Sequence, residues 1–329
     1  MLSIGIVGLP NVGKSTLFKL ITQKKIDCAN YPFCTIEPNI GVVVVPDERL
    51  DLISQVVPSK KKTYSAIEFV DIAGLVEGAS QGKGLGNKFL ANIRETSLIV
   101  YVLRAFQEKE IVSVRNEIDP LQEAELLETE LALKDLETLD KRIHWLEKEH
   151  RSGRKTNERD ILIKARKIIE ESHLLSDSDF DEETKKTISN LSLLASKPRI
   201  YLVNGKEEEI SLETRNRFKN KNFLIVDINN PDSLVIDELI RKSYELLGLI
   251  TFFTVGPEEI RAWKIRKGAK APEAGGAIHS DFQEKFIKAI VVDWQDLIKK
   301  GGFSKATKRI EGKNYTVQDG DVVEIKHGA

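Results

Sequence analysis

Residues 8–15 read GLPNVGKS, and the rest of the chain is interpreted outward from them. Gly8 and Gly13 lie five positions apart and are followed by Lys14 and Ser15, the G-x-x-x-x-G-K-[ST] spacing of a phosphate-binding loop. Glycines permit a tight turn whose backbone N–H groups point inward, and the helix that opens after the loop adds its own unpaired N–H groups. The apolar run at residues 4–7 supplies a buried strand before the loop, and the sequence from Ser15 supplies the helix after it. Lys14 is then placed to reach the β- and γ-oxygens of a nucleotide, and Ser15 to hold Mg²⁺. The predicted fold class is therefore α/β, built around a P-loop NTPase (Ras-like) domain.

A chain of 329 residues has room for two or three domains and a sizeable core. Its most apolar stretch, SLIVYVL at residues 97–103, is far too short to cross a bilayer, and the N-terminal region carries a glycine loop where a signal sequence needs an apolar core. A cytoplasmic protein is expected. Cys28 and Cys34 are read as reduced thiols, and no Cys/His spacing suggests zinc. The net charge of −1 argues against a general nucleic-acid binder, but it averages over segments of opposite sign.

Short β-branched runs at residues 40–45, 66–70, 98–103, 199–203 and 223–228 suit a sheet wrapped by helices. Between the third and fourth lies a different pattern. Asp119, Pro120 and Glu123 give an N-cap, a proline at the first helical position and an acidic first turn, after which Leu136, Leu139, Ile143 and Leu146 recur at helical spacing. A break at residues 151–155 and a second apolar pattern reaching about Leu175 predict an inserted antiparallel helical hairpin about 50 Å long. From about Gly248 the sequence reads as a small α+β module, with turns at Gly275-Gly276 and Gly301-Gly302 and a closing hairpin in TVQDGDVVEI. The predicted domains are residues 1–117 with 196–247 (nucleotide binding), 118–195 (helical insertion) and 248–329 (C-terminal module).

Downstream of the loop, NYPFCTIEPNIG offers Thr35, and EFVDIAG puts Asp71 and Gly74 at the end of an apolar strand. In this order after a phosphate loop they fit a second Mg²⁺-sensing hydroxyl, the aspartate that fixes the metal's shell, and the glycine whose N–H meets the γ-phosphate. Lys14, Thr35 and Gly74 are the candidates for the hydrolytic step, and Ser15, Thr35 and Asp71 for the metal. Asn11, Val12, Gly13, Lys14, Ser15 and Thr16 are the candidates for cradling the phosphates.

These motifs, with DIAGLVEGASQGKGLGNKFL, the helical insert and the tail LLGLITFFTVGPEEIRAWKIRKGAKAPEAGGAIHSDF and YTVQDGDVVEIK, resemble the YchF family of Obg-like ATPases over nearly the whole chain. The resemblance implies a GTPase-like domain, a coiled-coil insertion, a C-terminal TGS domain of β-grasp type, and a ribosome-associated ATPase. It puts Leu75 where Ras-like proteins keep a water-orienting glutamine, which implies slow intrinsic hydrolysis. In YLVNGKEEE, Asn204, Gly205 and Glu207 stand at the base-reading element; the altered guanine clamp resembles the family's N-x-x-E and implies adenine. Phe106 is the implied stacking aromatic, and Asn11 the implied ligand of a monovalent cation such as K⁺. Three departures stand out: Gly205 replaces a hydrophobic residue, Ser113 replaces a histidine, and the segment at residues 225–233 is short. Two other readings stay open, a GTP-specific Obg-like assembly factor and a nucleotide-gated ribosome adaptor with negligible hydrolysis.

Residues 117–140 hold nine acids against one base, residues 170–183 hold seven acids and no base, and residues 141–167 hold ten Lys/Arg against four acids. In an antiparallel hairpin the acids lie toward the body and the bases (among them Lys141, Arg142, Lys148, Arg151, Arg154, Lys155, Arg159 and Lys164) at the far end. That arrangement suits contact with ribosomal RNA phosphates, with the TGS domain as a second contact surface. His144 and His150 are read as surface residues, and the protein as a monomer.

Overall fold

The structure is a computed structural model that describes residues 2–22, 39–72, 86–107, 118–151, 157–171 and 174–328. The strands are β1 (Ser3–Val7), β2 (Ile40–Val44), β3 (Lys61–Thr63), β4 (Ala66–Asp71), β5 (Leu98–Arg104), β6 (Arg199–Asn204), β7 (Phe223–Val226), β8 (Leu249–Val255), β9 (Glu259–Arg266), β10 (Phe286–Asp293), β11 (Arg309–Glu311) and β12 (Asp321–His327). The described residues form two compact units, one of residues 2–22, 39–41 and those within 68–236, the other of residues 42–67 and 237–328.

Strands β1, β5, β6 and β7 and most of β4 lie in the first unit and belong to a sheet of order β2-β4-β1-β5-β6-β7. β4, β1, β5, β6 and β7 run parallel, so each apolar run predicted as a strand is one. β5 and β6 are buried along their whole length, as central strands covered on both faces must be. Parallel pairing aligns their carboxyl ends: Ile6 opposes Asp71, Val7 opposes Tyr101, and Arg104 opposes Asn204. Loops leaving that edge form the crevice in which ligands of open α/β sheets bind. Helix α1 (Lys14–Thr22) follows the β1 loop, and α2 (Glu48–Val56) and α3 (Gly86–Glu95) come next along the chain.

The insert begins as expected. α4 (Pro120–Arg151) is 32 residues long, and Asp119 caps it by accepting from the Leu121 N–H at 2.8 Å. α5 (Glu158–Glu170) is shorter than the predicted second arm, which the apolar pattern carries to about Leu175. The acidic return segment is not plain chain either, since it holds a 3₁₀ turn at Leu175–Asp177 and a third helix, α6 (Glu182–Asn190). Leu139, Leu146, Leu162, Ala165, Ile169, Ile188 and Leu193 pack into a core of the insert's own. Asp135, fully buried on α4, accepts the Leu194 and Ala195 N–H groups at 3.0 and 2.7 Å and fastens the returning chain to the helix.

The second unit has a sheet in the order β11-β10-β12-β8-β9-β3. β8 and β9 form an antiparallel hairpin, the last strand β12 lies parallel to β8, and β10 is antiparallel to β12, the β-grasp arrangement expected for this module. Residues 42–67, assigned from sequence to the nucleotide domain, cluster in this unit, where β3 pairs with β9. Two local expectations are corrected. Gly275 and Gly276 are not a turn but part of the helix Ala271–Ile278, where a Cβ on Gly275 would come within 2.9 Å of the Phe282 carbonyl oxygen. TVQDGDVVEI is not a hairpin: only Asp321–His327 is strand, and its partners are β10 and β8, while Thr316 makes a single bridge to Lys270. Gly301 and Gly302 do form the predicted turn, at φ 73° and 132°.

Candidate functional site

The loop between β1 and α1 takes its shape from residues that no larger side chain could replace. A Cβ on Gly8 would lie 2.5 Å from the Val102 carbonyl oxygen of β5, so the chain can pass the neighbouring strand only as glycine. Gly13 has φ 101°, and a Cβ there would lie 2.7 Å from Asn204 Nδ2. Asn11 also adopts positive φ, 63°, a conformation its short polar side chain tolerates. Val12 is buried beneath the loop, whereas Ser15 and Thr16 are exposed on the first turn of α1.

Lys14 is only 8% exposed, and its ammonium donates to the Leu9 carbonyl oxygen at 2.6 Å. Burial lowers its pKa to about 8, opposed by the charges of Asp71 and Glu123. It is therefore a desolvated cation folded back on its own loop, within reach of the charges of Asp71 and Glu123. Beside it the Ser15 hydroxyl donates to Asp71 Oδ2 at 2.8 Å. Two hard oxygen donors in contact at the mouth of an anion cradle fit Mg²⁺.

At the far side of the loop stands Asn204, the last residue of β6 and 5% exposed. Its Nδ2 donates to the Val12 carbonyl oxygen at 3.0 Å, and its Oδ1 accepts the Ile228 N–H at 3.1 Å. The side chain read from sequence as a base contact thus also clasps the phosphate loop to the chain after β7, using one amide hydrogen and one oxygen lone pair of the two each that an amide carries. Gly205 packs where a Cβ would meet Ala105 Cβ at 2.9 Å and the Phe106 nitrogen at 3.2 Å. Ala105 and Phe106 in turn donate their N–H groups to the Asn204 carbonyl oxygen at 2.8 and 3.2 Å. Phe106 is half-buried, with the Arg104 guanidinium 4.6 Å from its ring centre. Glu207 sits on an exposed turn, where Arg215 pairs with its carboxylate at 3.7 Å and donates to its carbonyl oxygen.

Two neighbours of the site were not singled out from sequence as functional. Arg104, the last residue of β5, is 3% exposed, and its N–H donates to Glu123 Oε2 at 2.8 Å. Burial pushes the Glu123 carboxyl up to about 7, against the opposing effects of Arg104 and Lys14. A charged residue ending an otherwise apolar strand at the ligand edge of the sheet was the available signal. Of the remaining candidates, Thr35 and Gly74, together with Leu75 and Ser113, lie outside the described residues, as do Arg154 and Lys155. Arg151 ends α4, and Arg159 pairs with Glu147 at 3.3 Å and Asp160 at 3.5 Å. Arg142 and Arg166 are likewise paired, with Glu158 and Asp140, each at 2.7 Å. Among the described residues no cluster of three or more His, Cys, Asp or Glu could hold a metal, and no helix is long and apolar enough to cross a membrane.

Comparison with known proteins fits this geometry. Residues 3–135 match a family profile described as 50S ribosome-binding GTPase, and residues 249–328 match the C-terminal YchF-GTPase profile, described as a protein of unknown function. The chain is 42% identical to the ribosome-binding ATPase YchF of Bacillus subtilis, covering 99% of each protein. It is 41% identical to the protein of the same name in Escherichia coli O157:H7, covering 98% of each. Among solved structures, the Schizosaccharomyces pombe YchF GTPase superposes with a TM-score of 0.84 at 33% identity, over 99% of this chain and 97% of that one. With the phosphate loop, the parallel sheet, the helical insert and the β-grasp unit all in place, the chain belongs to the YchF family of P-loop nucleotide-binding proteins.

Proposed function

We propose that this protein is a Mg²⁺-dependent P-loop nucleoside triphosphatase that takes ATP in preference to GTP and works on the ribosome. The observation that carries the proposal is the pairing of Ser15 with Asp71 at 2.8 Å beside the buried ammonium of Lys14. A triphosphate entering the cradle gives Lys14 a stronger acceptor than the Leu9 carbonyl, and the N–H groups around residues 11–16 close on its oxygens. Ser15 and Asp71 would hold the magnesium, which, when bound, neutralises charge on the β- and γ-phosphates. Thr35 and Gly74 are proposed to complete the γ-phosphate side, and Asn11 to take K⁺. Leu75 brings no polar group to orient a water, so intrinsic turnover is proposed to be slow.

Adenine preference is supported by the base end. Glu207 and Gly205 do not reproduce the Asn-Lys-x-Asp guanine clamp, Asn204 keeps hydrogen-bonding capacity, and Phe106 lies on the adjoining segment. Relatives named ribosome-binding ATPases support both the substrate and the partner. The insert supports an RNA contact through Arg151, Arg154, Lys155 and Arg159, and the β-grasp unit is the second proposed surface. Because Arg142, Arg159 and Arg166 already have acidic partners, the net basic surface is narrower than the residue count suggests. A cytoplasmic monomer is the form proposed.

The proposal is tested by titrating the purified protein with ATP in the presence and absence of Mg²⁺, followed by single-turnover hydrolysis with and without ribosomes. Tighter binding with the metal and hydrolysis stimulated by ribosomes are expected. Binding without hydrolysis under either condition would instead support a nucleotide-gated adaptor.

A further inference from the structure

Residues 104–106 are held from three directions. Asn204 accepts the N–H groups of Ala105 and Phe106, Glu123 accepts that of Arg104 at 2.8 Å, and Arg104 Nε donates to the Phe106 carbonyl oxygen at 3.2 Å. The same guanidinium lies over the Phe106 ring. Only a planar, multi-donor cation can hold a carbonyl oxygen in its plane while presenting a face to an aromatic ring; a lysine ammonium offers no such face. Arg104 is nearly enclosed, at 3% exposure, so this arrangement is built into the end of β5 rather than sampled at the surface. Glu123 arrives from the first turn of α4, where a carboxylate is ordinarily a solvated partner of the helix N-terminus. Here it is spent instead on a backbone N–H of the neighbouring strand.

We propose that Arg104 and Glu123 are positioning residues for the purine. Arg104 covers one face of Phe106 and fixes the ring so that a base stacks on the other, and Glu123 pins the backbone from which both side chains project. The first turn of the long insert helix thereby becomes part of the support of the nucleotide site. This inference rests on the reading of Phe106 as a base contact.

The test compares Mg-ATP with inorganic tripolyphosphate, which shares the phosphate cradle but has no base, as ligands of the full chain. Glu123→Ala and Arg104→Lys are expected to weaken ATP by about 5- to 20-fold, the range of a lost buried hydrogen bond, with tripolyphosphate unchanged within about twofold. Glu123→Gln keeps an acceptor oxygen and is expected to bind ATP within about twofold of wild type. Phe106→Ala measures the whole base contribution, and adding Glu123→Ala to it should cost nothing further. The proposal is overturned if Phe106→Ala weakens ATP while Glu123→Ala does not, if ATP and tripolyphosphate weaken together, or if Glu123→Gln is as weak as Glu123→Ala. Should Phe106→Ala leave ATP binding intact, the base assignment itself fails and the positioning role falls with it. Should Arg104→Lys fail to fold, the Glu123 pair decides.

Discussion

At the phosphate end of the site the backbone sets the geometry: Gly8 passes against Val102 and Gly13 turns at φ 101°, with Lys14, the Ser15–Asp71 pair and the Asn204 amide as the side chains that meet the loop among the described residues. At the proposed base end, side-chain packing sets it: Gly205 lies against Ala105 and Phe106, Arg104 stacks on Phe106, and Glu123 reaches across from another element. The first construction centres on a contiguous octapeptide. The second depends on residues from β5, β6 and α4 that meet only in the fold. Triphosphate affinity and base choice should therefore respond to different substitutions, with Asn204 as the residue that touches both ends.

The largest effect expected is that of Lys14→Ala. Two charge-assisted phosphate contacts at roughly 1.5–3 kcal/mol each imply a loss of about 100-fold or more in affinity, equal for ATP, GTP and tripolyphosphate. Isothermal titration with the three ligands reads this, and a loss confined to ATP would break the division between the ends. Next is Gly13→Ala, which forces a side chain into positive φ and against Asn204 at a cost of about 1–3 kcal/mol. A drop of at least about tenfold for all three ligands, with a lowered Tm, is expected; unchanged Tm and affinity would mean that the loop can move aside.

Gly205→Ala is predicted to do the reverse. Its new Cβ pushes on Ala105 and Phe106, so ATP affinity should fall a few-fold while tripolyphosphate binding holds. For the same reason, converting the element toward a guanine clamp with Gly205→Lys and Glu207→Asp should damage the base end rather than simply transfer preference to GTP. Recovered tight GTP binding in that double variant would show that the packing at Gly205 is soft.

A further effect concerns pH. The Glu123 carboxyl is raised by burial to about 7, so its protonated form is the one favoured on folding. Its stabilising contribution is full below the ordinary carboxylate range and is lost as pH rises through about 7. Glu123→Gln mimics the protonated form, so it should melt a few degrees above wild type at pH 8, on the order of 1–2 kcal/mol, and match it near pH 4. Equal melting temperatures across that range would place Glu123 in water rather than against β5.

Sequence legibility follows the same contrast. The octapeptide, the parallel strands and the capped start of α4 were readable because each is specified by neighbours in the chain: glycine spacing, continuous apolar runs, and Asp119-Pro120. Ser15 and Asp71 were readable as partners because both belong to recurring motifs, and parallel register brings Ile6 opposite Asp71. Arg104 and Glu123 were not, since nothing in LIVYVLR or PLQEAE states that a helix carboxylate will meet a strand N–H. Nor could sequence show that Asn204 clasps the loop at Val12. In the insert, α6 is not legible because a polar segment with one buried apolar residue, Ile188, has too little periodicity to declare a helix. Residues 42–67 were assigned to the first domain by proximity in the chain, yet β3 pairs with β9 nearly two hundred residues later.

The most direct measurement is the relative affinity of Mg-ATP and Mg-GTP for the purified chain, with tripolyphosphate as the baseless reference. ATP is expected to bind more tightly than both: tighter than GTP by a modest ratio, and tighter than tripolyphosphate by the contribution of Phe106 and its supports. Preference for GTP by about tenfold, more than 1 kcal/mol in the wrong direction, would contradict the adenine assignment and the division between a backbone-built phosphate end and a packed, base-selecting end.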